Sequence, residues 1–120
     1  MKTALLVIAA FMALSCTQVL TLSYPYETHF YKHIPDERHW IRHDNTVTIE
    51  SARITIGDGE KTFVYSITKG PVFRSERKYR VYHVEQSKTN FMIMIPLDNS
   101  YVNVINQADS TVWMLAETNF

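Results

Sequence analysis

Residues 46–67, TVTIESARITIGDGEKTFVYSI, show the clearest secondary-structure pattern in this chain. Apolar and polar residues alternate on both sides of a Gly-Asp-Gly sequence, and a period of two is typical of strands with one buried face. The glycines suit the positive φ angles of a tight hairpin turn. Residues 46–50, 52–56 and 62–67 are therefore predicted to form three antiparallel strands.

The same alternation continues toward the C-terminus. It predicts strands over residues 79–85, 90–95, 101–105 and 111–115, and the last three are separated by short polar turns. About seven short strands at this spacing favour an all-β fold, either a small antiparallel barrel or a sandwich. We expect residues 24–120 to form this single domain, preceded by a signal peptide and beginning with a short irregular or helical segment.

One predicted strand, residues 90–95, is apolar on both faces. Because side chains alternate along a strand, Met92 and Met94 point away from the face that carries Phe91, Ile93 and Ile95. Both faces are therefore expected to lose contact with water. The second face is expected to lie under residues 24–43, in a ligand cavity or at a partner surface.

The N-terminal residues show the layout of a signal peptide. Lys2 precedes the apolar run Ala4–Leu14, which ends at Ser15 and Cys16. A run of about 11 residues is short for a membrane-spanning helix, which needs roughly 20. Residues 1–15 are predicted to be the signal peptide and residues 16–23 a tether.

The sequence Ala13-Leu14-Ser15-Cys16 resembles the lipobox of bacterial lipoproteins. The resemblance implies that Cys16 is lipidated, becomes the first mature residue and attaches the chain to a membrane of the cell envelope. Because Thr17 rather than aspartate follows the cysteine, the resemblance also implies that this membrane is the outer membrane. The alternative is an ordinary secreted protein in which Cys16 is incidental.

Residues 24–44 have no clean period. Pro35 followed by Asp36 and Glu37 is a plausible helix start, since proline suits the first turn and acids suit the positive end of the helix dipole. This pattern predicts a short helix over residues 35–43. Asp44-Asn45 is then predicted to be a turn.

The same segment holds a cluster of histidines. His29 and His33 are four residues apart, as are His39 and His43, and this spacing would place each pair on one face of a helix. Two such pairs can bind zinc or copper. The alternative is that they are surface histidines, or pack against the neighbouring aromatic residues.

A second cluster combines basic and aromatic residues near the predicted strand over residues 79–85. On a strand, Lys78, Arg80 and Tyr82 share a face that can bind an anionic sugar, a lipid headgroup or a peptide carboxylate. The alternative is a solvated face compensated by acids. The members of the cluster are Phe73, Arg74, Arg77, Lys78, Tyr79, Arg80 and Tyr82.

Composition and motifs argue against several functions. Twelve Lys and Arg balance twelve Asp and Glu, so nucleic acid is not an expected partner. The sequence contains no GxSxG, HExxH or GxGxxG motif. We expect a protein that is not an enzyme and needs no cofactor.

The exported N-terminus, the short strands and the closing sequence Val112-Trp113-Met114-Leu115 resemble small bacterial lipoproteins with a lipocalin-like, or calycin, β-barrel. The resemblance implies an envelope lipoprotein that binds a small hydrophobic molecule or a protein partner. One alternative is an inhibitor or immunity-like protein that blocks an exported hydrolase, and another is a metal-binding envelope protein. The expected ligand-binding residues are Phe63, Tyr65, Tyr79, Arg80, Tyr82, Phe91 and Trp113.

Overall fold

The computed structural model describes residues 19–34, 38–74, 76 and 78–118. The described part contains eight β-strands and no helix, which confirms the all-β prediction. The strands are β1 (Leu20–Tyr31), β2 (Ile41–Ile49), β3 (Arg53–Gly57), β4 (Thr62–Arg74), β5 (Tyr79–Gln86), β6 (Thr89–Pro96), β7 (Tyr101–Asn106) and β8 (Thr111–Ala116).

The strands form a closed up-and-down barrel. Each strand pairs antiparallel with the next in sequence, and β8 returns to pair with β1 from Tyr26↔Ala116 to Tyr31↔Thr111. Closure leaves no open sheet edge, which removes the usual site of intermolecular strand pairing. Of the two predicted architectures, the barrel is therefore the one formed.

Alternate side chains fill the middle of the barrel. Ile54 of β3, Ile93 of β6 and Leu115 of β8 are all fully buried there. Burial of each such side chain stabilises the fold by about 1.5–3 kcal/mol. The core comprises Tyr24, Val47, Ile49, Ile54, Ile56, Tyr65, Tyr82, Val84, Ile93, Ile95, Val102, Val104 and Leu115.

The outer face of β5, β6, β7, β8 and β1 is also largely apolar. One row of paired residues crosses these five strands, and Val81 and Met114 in it are buried while Met94 is half-buried. The side chain of Met94 points away from the face that carries the core residues Ile93 and Ile95, in agreement with the predicted alternation. The row consists of Val81, Met94, Asn103, Met114 and Thr28.

Strand β1 is the main difference from the prediction. It begins at Leu20, so residues 20–23, predicted to be tether, belong to the barrel. The register of β1 against β2 shifts between Tyr24 and Tyr26, on either side of Pro25. Because the shift changes which residues face inward, the strand shows no constant period of two.

Two local predictions were wrong for the same segment. Residues 38–40 have no regular structure and Ile41–His43 lie in β2, so this part of the expected helix is absent. Residues 35–37 lie outside the described part of the chain. Asp44 and Asn45 are strand residues of β2 rather than a turn, because Asn45 pairs with Tyr24 of β1.

Across the residues that the structure describes, no helix is long and apolar enough to cross a membrane. The predicted signal peptide, the lipidation site Cys16 and Thr17 lie outside these residues.

Candidate functional site

A buried carboxylate lies at the end of the barrel where β1 ends and β2 begins. Glu27 of β1 is only 5% exposed. Its Oε2 accepts a hydrogen bond from the indole Nε1 of Trp113 at 2.5 Å, and its Oε1 contacts Nδ1 of His43. The register shift after Tyr24 makes this possible, because it turns Glu27 rather than Tyr26 toward the interior.

His43 connects Glu27 to a second carboxylate. Its Nε2 lies 2.9 Å from Oδ2 of Asp58, in the turn between β3 and β4. With a carboxylate oxygen against each ring nitrogen, the imidazolium form donates from both nitrogens. The hydrogen bond with Glu27, aided by its negative charge and by Asp58, raises the pKa of His43 above its usual value.

Asp58 is held in place by its own turn. The backbone N–H groups of Glu60 and Lys61 donate to its Oδ1 at 2.8 and 2.7 Å. These two hydrogen bonds lower the pKa of Asp58 to about 2. The carboxylate is therefore ionised at neutral pH, and His43 links the β3–β4 turn to β1.

Aromatic side chains lie across this end of the barrel from Glu27, His43 and Asp58. Phe63 meets the ring of Trp113 edge-on at 5.6 Å between centroids, and Tyr65 meets Phe91 in the same way at 5.3 Å. His29 stacks parallel to Trp113 at 5.9 Å. Burial raises the pKa of Tyr65 to about 12, so its hydroxyl stays neutral.

Together these groups surround a cavity of about 360 Å³, here called the Trp113 pocket. One side is aromatic and the other carries Glu27, His43, Asp58 and Lys61. Its size lies in the range of small-molecule sites. It is lined by Glu27, His29, His43, Asn45, Asp58, Lys61, Phe63, Tyr65, Gln86, Phe91 and Trp113.

A second cavity lies at the opposite end of the barrel, where β1 begins and β2 ends. It measures about 540 Å³ and is here called the Arg80 pocket. Buried core residues, including Tyr24 and Val47, fill the barrel between the two ends. The Arg80 pocket is lined by Val19, Leu20, Ile49, Glu50, Ser51, Ile67, Gly70, Pro71, Arg80 and Tyr82.

The predicted ligand-binding residues divide between these places. Four of them, Phe63, Tyr65, Phe91 and Trp113, line the Trp113 pocket. Arg80 and Tyr82 line the Arg80 pocket instead.

Tyr79 and Lys78 lie away from both pockets. They border a shallow depression near the β6–β7 turn. Lys78 precedes β5 and is exposed, so it does not share the inward face of Arg80 and Tyr82.

The four clustered histidines do not lie together either. His29 and His43 line the Trp113 pocket, whereas His33 and His39 are exposed in the connection between β1 and β2. Within residues 19–34, 38–74, 76 and 78–118, no group of three or more His, Cys, Asp or Glu is placed to hold a metal ion. The metal-binding hypothesis stays a prediction.

Several pocket residues, chiefly Glu27 and Asp58, were not predicted from the sequence. Glu27 lies in a segment without a regular alternation of apolar and polar residues, so no sequence pattern indicated that it is buried. Asp58 was interpreted only as part of a Gly-Asp-Gly turn. Asp58 follows the inward-facing Ile56 by two residues, and this spacing was the one sequence signal for its position near the barrel interior.

Comparison with known proteins found no family model, no curated protein and no solved structure that matches this chain. The candidate function therefore depends on the geometry of the barrel and its two end cavities.

Proposed function

We propose that this chain is a non-enzymatic binding protein that takes a small apolar ligand into the Trp113 pocket. The observation that carries the proposal is the convergence of Phe63, Tyr65, Phe91 and Trp113 on one cavity at the barrel end. Aromatic walls offer a large apolar contact area and stacking surfaces for a flat ligand. The preferred ligand is therefore a small molecule with an aromatic or otherwise apolar body.

The polar side of the pocket supports binding rather than catalysis. Both oxygens of Glu27 and both ring nitrogens of His43 are engaged within the protein. A general base needs a free acceptor within hydrogen-bond reach of the substrate. These groups instead fix the shape of the pocket and offer a ligand a rigid polar border.

The proposal includes a location in the cell envelope. In it, residues 1–15 are a signal peptide, and lipid on Cys16 anchors a lipocalin-like barrel to a membrane, with the outer membrane favoured. The lipobox-like sequence before Cys16 supports this part. Mass spectrometry of the mature N-terminus tests it: a diacylglyceryl-modified Cys16 is expected, and an unmodified N-terminus at another residue would reject the anchor.

Ligand binding is tested with a neutral fluorescent probe, N-phenyl-1-naphthylamine, titrated into the purified protein. We expect saturable binding at one site with partial quenching of tryptophan fluorescence, because Trp113 lines the pocket. Replacing Phe63 by Ala removes one aromatic wall and should weaken binding roughly five- to tenfold.

Phe73→Ala is the matched control for this experiment. Phe73 lies on the same strand, β4, and is also exposed, but it does not line the Trp113 pocket. The control should bind the probe like the wild type. Equal affinity of Phe63→Ala and wild type, or no binding by the wild type, would reject the proposed site.

A further inference from the structure

Arg80 places a positive charge inside the barrel at the end opposite the Trp113 pocket. It lies on β5 with the core residue Tyr82 two positions later, and it pairs across the strand with the fully buried Ile95 of β6. Its side chain is therefore directed inward. One nitrogen, Nη2, donates to the side-chain oxygen of Asn99.

The rest of the guanidinium group is incompletely satisfied. Its Nε is buried and has no hydrogen-bond partner. Asn99 is a neutral acceptor, so it contributes a hydrogen bond but no compensating charge. A buried donor without a partner is destabilising, and more so when the group is charged.

No carboxylate of the described residues lies within 4.0 Å of Arg80, although acids are present at this end. Glu50 lines the same pocket, but its Oε1 lies 3.2 Å from Nε of Arg53. Asp98 accepts hydrogen bonds from Ser100 in its own turn. Among the described residues, Arg80 is thus a half-buried cation without an ion-pair partner within 4.0 Å.

The cavity beside Arg80 has room for a molecule that carries this counter-charge. It measures about 540 Å³, within the range of small-molecule sites. Ile49, Ile67 and Tyr82 give it an apolar wall adjoining the guanidinium group. Such a site matches a molecule with an anionic head and an apolar body.

We propose that the Arg80 pocket binds an amphipathic anion, a carboxylate or phosphate monoester attached to an apolar chain. Arg80 pairs with the anionic head, because a guanidinium group presents parallel N–H donors that suit both oxyanions. The apolar chain lies against Ile49, Ile67 and Tyr82. This site is separate from the Trp113 pocket and does not depend on the function proposed there.

The test compares three ligands that share one chain length: decanoate, decyl phosphate and decanol. Each is titrated by calorimetry into the full chain at neutral pH, the two anions below their micelle concentrations and decanol below its solubility limit. At least one anion should bind about tenfold or more tightly than decanol, since a hydrogen bond to a charged group raises the affinity by more than about tenfold. The stronger of the two anions identifies the head group.

Arg80→Gln should weaken binding of that anion by about tenfold or more and leave the affinity for decanol unchanged. Arg42→Gln is the matched control, because it removes the same charge from an exposed arginine near the other barrel end. Phe63→Ala, in the Trp113 pocket, should also leave anion binding unchanged. Near-ultraviolet circular dichroism and thermal unfolding confirm that each variant is folded.

If Arg80→Gln does not fold, Arg80→Lys replaces it in the experiment. Lysine keeps the charge but loses the paired donors, so anion affinity should fall while remaining above that of decanol. Equal binding of anions and decanol would overturn the proposal. So would an equal effect of the Arg80 and Arg42 substitutions, or a loss of anion binding in Phe63→Ala.

Discussion

Trp113 donates its indole N–H to the carboxylate of Glu27, and 2.5 Å separates Nε1 from Oε2 although the residues are 86 positions apart. The bond joins β8 to β1, the two strands whose pairing closes the barrel. Since Glu27 also contacts His43, one buried carboxylate connects three strands to the wall of the Trp113 pocket.

Replacing Glu27 by Gln should destabilise the protein by about 2 kcal/mol, because hydrogen bonds to a charged group contribute about 1.5–3 kcal/mol. Urea denaturation gives the free energy of unfolding that checks this. Glu50→Gln is the control: it breaks the surface pair with Arg53 and should cost less than about 1 kcal/mol. A smaller loss in Glu27→Gln than in Glu50→Gln would contradict the buried role of Glu27.

Stability should fall as the pH rises above 6.5. The pKa of His43 is raised in the folded protein, mainly by its hydrogen bond to Glu27. The folded state therefore holds this proton more tightly than the unfolded chain does. The resulting stabilisation is complete below pH 6.5 and is lost as the pH passes through the raised pKa.

Urea midpoints measured from about pH 6 to pH 9 check this prediction. Asp58 does not interfere, because its lowered pKa makes its contribution change only on the acid side of pH 3.8. The loss should disappear in His43→Gln and persist in His39→Gln, whose histidine is exposed. An unchanged pH profile in His43→Gln would show that another group is responsible.

Two isoleucines on neighbouring strands test the position of the core. Ile54 is fully buried, whereas Ile41 is 53% exposed. Ile54→Ala should destabilise the barrel by about 2–5 kcal/mol, because it leaves a cavity in the packed interior. Ile41→Ala should cost less than about 1 kcal/mol. Similar losses in the two variants would contradict the inward orientation of Ile54.

A substitution at Gly70 tests how closely β4 and β5 approach each other. Its φ is +122°, and a Cβ there would lie 2.7 Å from the carbonyl oxygen of Val81. Gly70→Ala should therefore cost about 3 kcal/mol from backbone strain and steric conflict. Gly59 has a φ of +95° but open space around it, so Gly59→Ala should cost only about 1–2 kcal/mol. Equal free energies of unfolding would argue against the contact at Val81.

The sequence was sufficient to predict strands where one face stays buried throughout. Val47 and Ile49 on β2 are two residues apart, as are Ile54 and Ile56 on β3, and the structure places all four in the core. It was insufficient for β1, because the register shift after Tyr24 breaks the period and leaves no repeating pattern.

Only part of the candidate site could be predicted, again because of the register shift in β1. Phe63 and Trp113 are aromatic residues on regular strands, so their inward orientation could be inferred. The approach of Glu27 to His43 depends on the register shift and on the pairing of β1 with β8. Pairing between residues so far apart in the sequence is not encoded in any local period.

The pairing of β1 with β8 also affects the order in which the barrel can be completed during folding. Every other pair joins strands that are consecutive in the chain and can form as local hairpins. One edge of β1 therefore has no partner until the intervening hairpins have formed and β8 has reached it. Until then this edge can pair with a strand of another copy, and the docking of β8 removes that opportunity.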